Sequence, residues 1–89
     1  MTAYESGRYP NGSTALLAQD GEETEVLSVN LTAYGLHAPD GHVFVKDYSE
    51  HSGLPVALEA ADVAHAVRVV VFGPFRTTAV LMKLGEYLR

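Results

Sequence analysis

The stretch HVFVKDYSEHSGLPVALEAA, residues 42–61, decides the fold because it contains the signals of a strand, a turn and a helix in succession. Val43 and Val45 fall on one face of residues 42–48, and Phe44 and Tyr48 fall on the other. Apolar side chains on both faces are typical of a strand in the middle of a sheet. The sequence therefore predicts a central strand that runs through a polar turn into a helix.

The helical part of this stretch has an apolar stripe at positions i, i+3, i+4 and i+7. The stripe consists of Leu54, Ala57, Leu58 and Ala61. Pro55 fits the first helical turn, where its missing N–H is not needed, and Ser52 or Gly53 is placed to cap the start. Because so short a helix is not stable alone in water, it is expected to pack on a sheet. We expect it to cover the face that carries Leu27, Val29 and Leu31.

Two hairpins are predicted on either side of this unit. The first joins residues 13–19 to residues 24–31 across Asp20-Gly21, a pair that favours a tight turn. The second joins residues 67–72 to residues 77–84, with Val67, Val69 and Val71 on one face of its first strand. Residues 1–12 are polar, lack a period and are expected to form a loose N-terminal lead-in. The order ββ-β-α-ββ predicts a single α+β domain over residues 1–89, a two-layer structure of mostly antiparallel sheet with one helix on one face.

Composition narrows the classes of function. The chain of 89 residues has no cysteine, so disulfides and thiolate metal sites are excluded and a cytoplasmic location is expected. No export signal is expected in the polar residues 1–12, and the longest apolar run, residues 63–75, is too short to span a membrane. A net charge of -5 argues against direct nucleic-acid binding and permits a partner protein with a basic surface.

A polar cluster interrupts the apolar pattern between the central strand and the helix. It contains Lys46, Asp47, Tyr48, Ser49, Glu50 and His51. Turn-forming chemistry explains most of these residue types. The further interpretation is a protein-binding site made of Lys46, Asp47, Tyr48, Glu50 and His51. Tyr48 has the apolar body and polar tip of a binding anchor, or it packs under the helix. A small enzyme that uses Asp47, Glu50 and His51 as acid and base is a third interpretation.

The other titratable residues give weaker indications of a functional site. Four acidic residues, Asp20, Glu22, Glu23 and Glu25, lie around the tip of the first hairpin, where they form a solvated turn or a patch that imitates a row of phosphates. The four histidines, His37, His42, His51 and His65, lack the spacing of zinc ligands. We therefore expect no metal and no organic cofactor.

The run VNLTAYGLHAPDGHVFVKDYSEHSGLPVALEAADV resembles a family of small bacterial proteins found on plasmids, integrative elements and phages. That family has the pattern V-F-x-K-D-Y-S-E-N-x-G, preceded by V-N-L and followed by a helix rich in leucine and alanine. The matching positions here are Val29, Asn30, Leu31, Tyr34, Leu36, Val43, Phe44, Lys46, Asp47, Tyr48, Ser49, Glu50 and Gly53. His51 stands where the family has asparagine. The resemblance covers residues 28–63 and carries no assigned activity.

What the resemblance implies is a genetic context, that of mobile elements whose accessory proteins often oppose host defences. The expected function is that of a non-enzymatic interaction protein of a phage or mobile element, which inhibits a host defence nuclease of the CRISPR or restriction type. Its expected partner is a protein, in particular a nucleic-acid-binding defence complex, with no role for a membrane. The alternative is a housekeeping binding module of a plasmid or phage that acts as a homodimer.

Overall fold

The computed structural model describes residues 2–88, without the side chain of Thr2, and confirms the α+β class. The strands are β1 (Thr2–Arg8), β2 (Thr14–Asp20), β3 (Glu23–Val26), β4 (Ser28–Val29), β5 (His42–Lys46), β6 (Ala64–Phe72) and β7 (Thr77–Leu84). Helix α1 spans Leu54–Ala60, and single 3-10 turns occupy Thr32–Tyr34, Ser49–His51 and Glu86–Leu88. None of the helices within residues 2–88 has the length and apolar character needed to cross a membrane.

The strands form two antiparallel sheets rather than one. The first sheet has the order β1-β2-β3, and the second has the order β4-β5-β7-β6. Both predicted hairpins are present, since β2 pairs with β3 and β6 pairs with β7. Strand β5 lies between β4 and β7, which confirms the central position predicted from its two apolar faces.

The chain passes from the first sheet to the second at Leu27. Its N–H donates to the Leu16 carbonyl on β2 at 2.9 Å, and its own carbonyl accepts from the Lys46 N–H on β5 at 3.1 Å. The prediction of one continuous strand over residues 24–31 is therefore wrong, because the segment bends at this residue. The bend also separates Leu27 from Leu31, so these side chains enter different cores and do not share a face.

The two cores lie on opposite faces of the second sheet. The first lies between the two sheets and α1 and contains Leu16, Leu27, Val43, Val45, Leu58, Val63, Ala64, Val80, Met82, Leu84 and Leu88. The second lies under the connection between β4 and β5 and contains Leu31, Phe44, Val70, Ala79 and Leu81. Strand β5 supplies side chains to both cores, which is the physical reason for its uninterrupted apolar sequence.

Helix α1 packs against the first core, but fewer residues of its apolar stripe are buried than the sequence predicts. Leu58 is fully buried and Leu54 partly buried, whereas Ala57 and Ala61 are exposed. Pro55 is the second buried residue of the helix. The expected contact with Leu27 is kept through the shared core, while Val29 and Leu31 belong to the other face.

The N-terminal segment is part of a sheet, so the predicted loose lead-in over residues 1–12 is wrong for residues 2–8. Strand β1 pairs with β2 along its whole length, from Thr2 opposite Asp20 to Arg8 opposite Thr14. Pairing with a neighbouring strand orders this segment even though its own composition does not predict a strand. Met1 lies outside the described residues.

Tyr9 fixes the end of this segment to the interior. Its hydroxyl shares a hydrogen bond of 2.7 Å with the hydroxyl of Ser28, a residue only 2% exposed. The Ser28 oxygen also accepts the Leu16 N–H at 2.9 Å. Burial raises the pKa of Tyr9, the hydrogen bond to Ser28 opposes that rise, and the nearby Tyr48 adds to it.

We predict that Tyr9→Phe lowers the free energy of unfolding at neutral pH by about 1–2 kcal/mol, because the buried Ser28 hydroxyl loses a partner. The raised pKa favours the neutral phenol in the folded protein. The contribution of the Tyr9 hydroxyl to the free energy of unfolding is therefore complete below the ordinary tyrosine pKa of 10.0. It is lost as pH rises through the pKa that Tyr9 has in the folded protein. In urea titrations, the difference in the free energy of unfolding between wild type and Tyr9→Phe should become smaller above the pKa of folded Tyr9.

The control is Tyr87→Phe, because the Tyr87 side chain is exposed. That variant should match the wild type at every pH. A difference between wild type and Tyr9→Phe that stays constant or grows at alkaline pH would contradict the assignment.

Candidate functional site

The polar cluster forms the turn between β5 and α1, and Asp47 closes it. The Asp47 carboxylate accepts the N–H of Gly53 at 2.8 Å. Gly53 precedes the helix with a φ of 85°, a left-handed conformation that glycine adopts without steric cost. Ser49 also has a positive φ, 57°, at the start of the 3-10 turn. The role of Asp47 in the structure is thus to hold the turn that starts α1.

Two further members of the cluster hold the first hairpin against this turn. The Lys46 ammonium donates to the Val26 carbonyl at 3.0 Å. The His51 Nε2 atom lies 2.5 Å from a carboxylate oxygen of Glu25 on β3. The His51 side chain is 14% exposed and the Glu25 side chain 60%, so the contact lies at the edge of the protein surface. These contacts bring together two sites that the sequence analysis treats separately, the turn and the acidic hairpin.

The Tyr48 side chain packs against an aromatic residue of β6. Its ring is half-buried and meets Phe72 edge-on, with ring centroids 6.2 Å apart. Phe72 packs against the second core, on the sheet face opposite to α1. Tyr34 contacts the same phenylalanine at 5.4 Å. Tyr48 therefore contributes to the packing of the second core through Phe72, on the face that the strand pattern assigns to Phe44 and Tyr48, and it does not lie under the helix.

One acidic side chain of the hairpin and one of the turn lie at the same shallow groove. Glu25, Glu50 and His51 line it together with Leu27 and Leu54, and its volume is about 290 Å³. Asp20, Glu22 and Glu23 are exposed on the adjoining hairpin. We call the exposed carboxylates Glu22, Glu23, Glu25 and Glu50, with His51, the hairpin–turn surface. Lys46 and Asp47 support this surface through the backbone, whereas Glu50 projects from it.

The other histidines are dispersed. His65 contacts Asp62 at 3.1 Å at the start of β6, and His42 bonds the Asp40 carbonyl at 2.9 Å. Within residues 2–88, no group of three or more histidine and acidic side chains is arranged to hold a metal ion. Of the three side chains in the enzyme interpretation, Asp47 is bonded to Gly53 and His51 to Glu25.

The contact of His51 with Glu25 is not predictable from the sequence, because the two residues are 26 positions apart and the bend at Leu27 brings them together. A second groove of about 540 Å³, which the sequence analysis does not predict, lies between α1 and β6 and is lined by Val56, Ala60 and Val69. The valine-rich sequence of β6 was the signal that could have identified that groove. Comparisons with protein-family models, curated protein sequences and solved structures found no match, and the resemblance to mobile-element proteins stays a prediction.

We predict that Glu25 and His51 are energetically coupled. A double-mutant cycle with Glu25→Ala and His51→Ala, measured on the free energy of unfolding at low salt, should give a coupling energy of about 0.3–1 kcal/mol. This is the range for a partly exposed pair. Added salt should reduce this coupling.

The matched control is the Asp62–His65 pair, which is longer and more exposed on both sides. It should couple less strongly than Glu25 and His51. A coupling energy of zero between Glu25 and His51 would mean that this contact does not hold the hairpin to the turn.

Proposed function

We propose that the protein is a non-enzymatic interaction protein that binds a basic surface of a partner protein through the hairpin–turn surface. The observation that carries the proposal is the contact of His51 with Glu25, which joins the acidic hairpin to the turn before α1. That contact fixes a carboxylate of the hairpin beside the turn that carries Glu50.

Preorganisation supports this proposal. The contacts of Lys46 with Val26 and of His51 with Glu25 tie two segments together before any partner binds. A surface that is already ordered loses less conformational entropy on binding, so more of the contact energy appears as affinity. Glu23 and Glu50 stay exposed beside these contacts, where they are available to basic side chains of a partner.

Electrostatics favour a partner that itself binds nucleic acid. Such proteins carry lysine and arginine arranged to contact phosphates, and a surface of carboxylates competes for the same side chains. A net charge of -5 repels nucleic acid and attracts a basic protein at long range. The finer proposal, which also rests on the family resemblance, is inhibition of a host defence nuclease of the CRISPR or restriction type in the cytoplasm of the host cell.

The contacts refine which residues are suitable for testing. Of the five binding residues predicted from the sequence, Lys46, Asp47 and Tyr48 also hold the fold, so their substitution would mix stability with binding. Glu50 is exposed, and no hydrogen bond or ion pair connects it to the rest of residues 2–88. Glu50 and the exposed Glu23 therefore allow the surface to be changed with little effect on folding.

The test uses a panel of purified CRISPR effector complexes and restriction endonucleases, with affinity measured by biolayer interferometry and inhibition by DNA cleavage. For a complex that binds the wild type, Glu23→Lys with Glu50→Lys should weaken affinity at least tenfold, since two attractive contacts become repulsive. The affinity of the wild type should also fall as salt is raised.

The control is Glu5→Lys with Asp40→Lys, which changes net charge equally at exposed positions on β1 and in the connection before β5. An equal loss in this control would show that net charge, not the hairpin–turn surface, governs binding. Failure of the wild type to bind or inhibit any member of the panel would contradict the finer proposal.

A further inference from the structure

Strand β6 has one edge that no strand covers. It is the terminal strand of the second sheet and pairs only with β7 among the strands of residues 2–88. An uncovered edge presents backbone N–H and C=O groups that another strand can pair with. The other outer strands are less suitable, because β1 has the polar Glu5, Ser6 and Arg8, β3 has the acidic Glu23 and Glu25, and β4 contains only two residues.

The hydrogen bonds show which part of this edge is open. The N–H of Ala66 points away from β7, since it donates to the Glu59 carboxylate of α1 at 2.8 Å. The pairing with β7 shifts by one residue between Ala66 and Arg68. Because backbone groups alternate in an antiparallel pair and a bulge moves the alternation by one, the outward groups after the bulge belong to Val69 and Val71. The edge is thus covered by Glu59 at Ala66 and open at the two valines.

The side chains along this open edge are apolar. Val67, Val69 and Val71 are 54%, 64% and 52% exposed, although β-branched side chains of this size are usually buried in a sheet. On α1, Val56 is 76% exposed across the groove from Val69. An apolar groove and an open strand edge therefore lie side by side.

The charges around β6 are arranged in a way that suits an antiparallel copy of the same strand. Glu59 and Asp62 precede β6 and Arg76 follows it, while Arg68 lies near the middle of the strand. The sequence of β6 itself, AHAVRVVVF, has no acidic residue. In a two-fold arrangement the acidic end of one strand meets the basic end of the other, so attraction occurs on both sides of the axis.

We propose that two copies of this chain associate through β6, with the strands antiparallel across a two-fold axis near Val70. Val69 of one copy lies opposite the partner's Val71, and the outward N–H and C=O groups of both residues are then paired. The four strands of each copy become one sheet of eight strands. The valine side chains contact their counterparts and cover the groove beside Val56.

This dimer is independent of the hairpin–turn surface. Strand β6 and strand β4, which follows the acidic hairpin, are at opposite edges of the second sheet. The groove beside β6 is lined by Asp47 of the turn but by no residue of the hairpin–turn surface. Association through β6 therefore leaves Glu23 and Glu50 open and would present two copies of the hairpin–turn surface. Loss of the dimer need not remove binding to a partner, and loss of partner binding need not remove the dimer.

The test is sedimentation equilibrium of the full chain from micromolar to millimolar loading. We expect the wild type to move with concentration from the monomer mass of 9.6 kDa to twice that mass. Val69→Lys should weaken the dimer at least tenfold, because it places two like charges near the axis. Val71→Lys is an independent second variant with the same expected result, and far-UV circular dichroism checks that both remain folded.

The matched control is Val26→Lys, which introduces the same charge at a partly exposed valine on the outer strand β3. It should associate like the wild type. The proposal is overturned if the wild type stays monomeric over the whole range, if both folded β6 variants associate normally, or if Val26→Lys also abolishes the dimer. A monomeric wild type would leave the open edge to a strand from a different protein.

Discussion

Leu27 holds the two sheets together with its backbone and its side chain at once. Its N–H belongs to the first sheet through Leu16, and its carbonyl belongs to the second through Lys46. Its side chain is buried in the core that Leu58 closes from the helix. A residue that satisfies one sheet with its N–H and the next with its carbonyl leaves no unpaired buried group at the corner, which makes the sharp change of direction tolerable. The positions of β5, of α1 and of the polar turn between them all follow from this corner.

The candidate site depends on the same corner. Because the chain changes sheets at Leu27, the residues just before it on β3 lie beside the end of β5 and the turn that follows β5. Val26 therefore meets the Lys46 ammonium, and Glu25 meets the imidazole of His51. Two short acidic segments far apart in sequence become one surface with fixed spacing. The opposite edge of the second sheet is apolar, because β6 combines an open backbone edge with exposed valines. One sheet thus separates an acidic surface from an apolar edge.

Local patterns in the sequence were sufficient for much of the fold. The Asp20-Gly21 pair located the first hairpin, the two apolar faces of β5 located the central strand, and Leu54 with Leu58 located the helix. The corner at Leu27 was not predictable, because residues 24–31 alternate as one unbroken strand would. Strand β1 was missed since its order comes from pairing with β2 and not from its own composition. For the site, the turn and the acidic hairpin were each identified. Their contact through Glu25 and His51 needed the corner, so only the structure reveals it.

Amide hydrogen exchange at the corner tests most directly whether Leu27 joins the two sheets into one cooperative unit. The measurement follows the N–H groups of Leu27 and Lys46 by NMR, with Met82 in the middle of β7 as the reference for global unfolding. If the corner is the joint on which both sheets depend, Leu27 and Lys46 exchange only when the whole protein unfolds, with the same opening free energy as Met82. If both exchange at a clearly lower opening free energy while Met82 stays protected, the sheets separate without global unfolding, and the account given for the corner and for the surface built on it is contradicted.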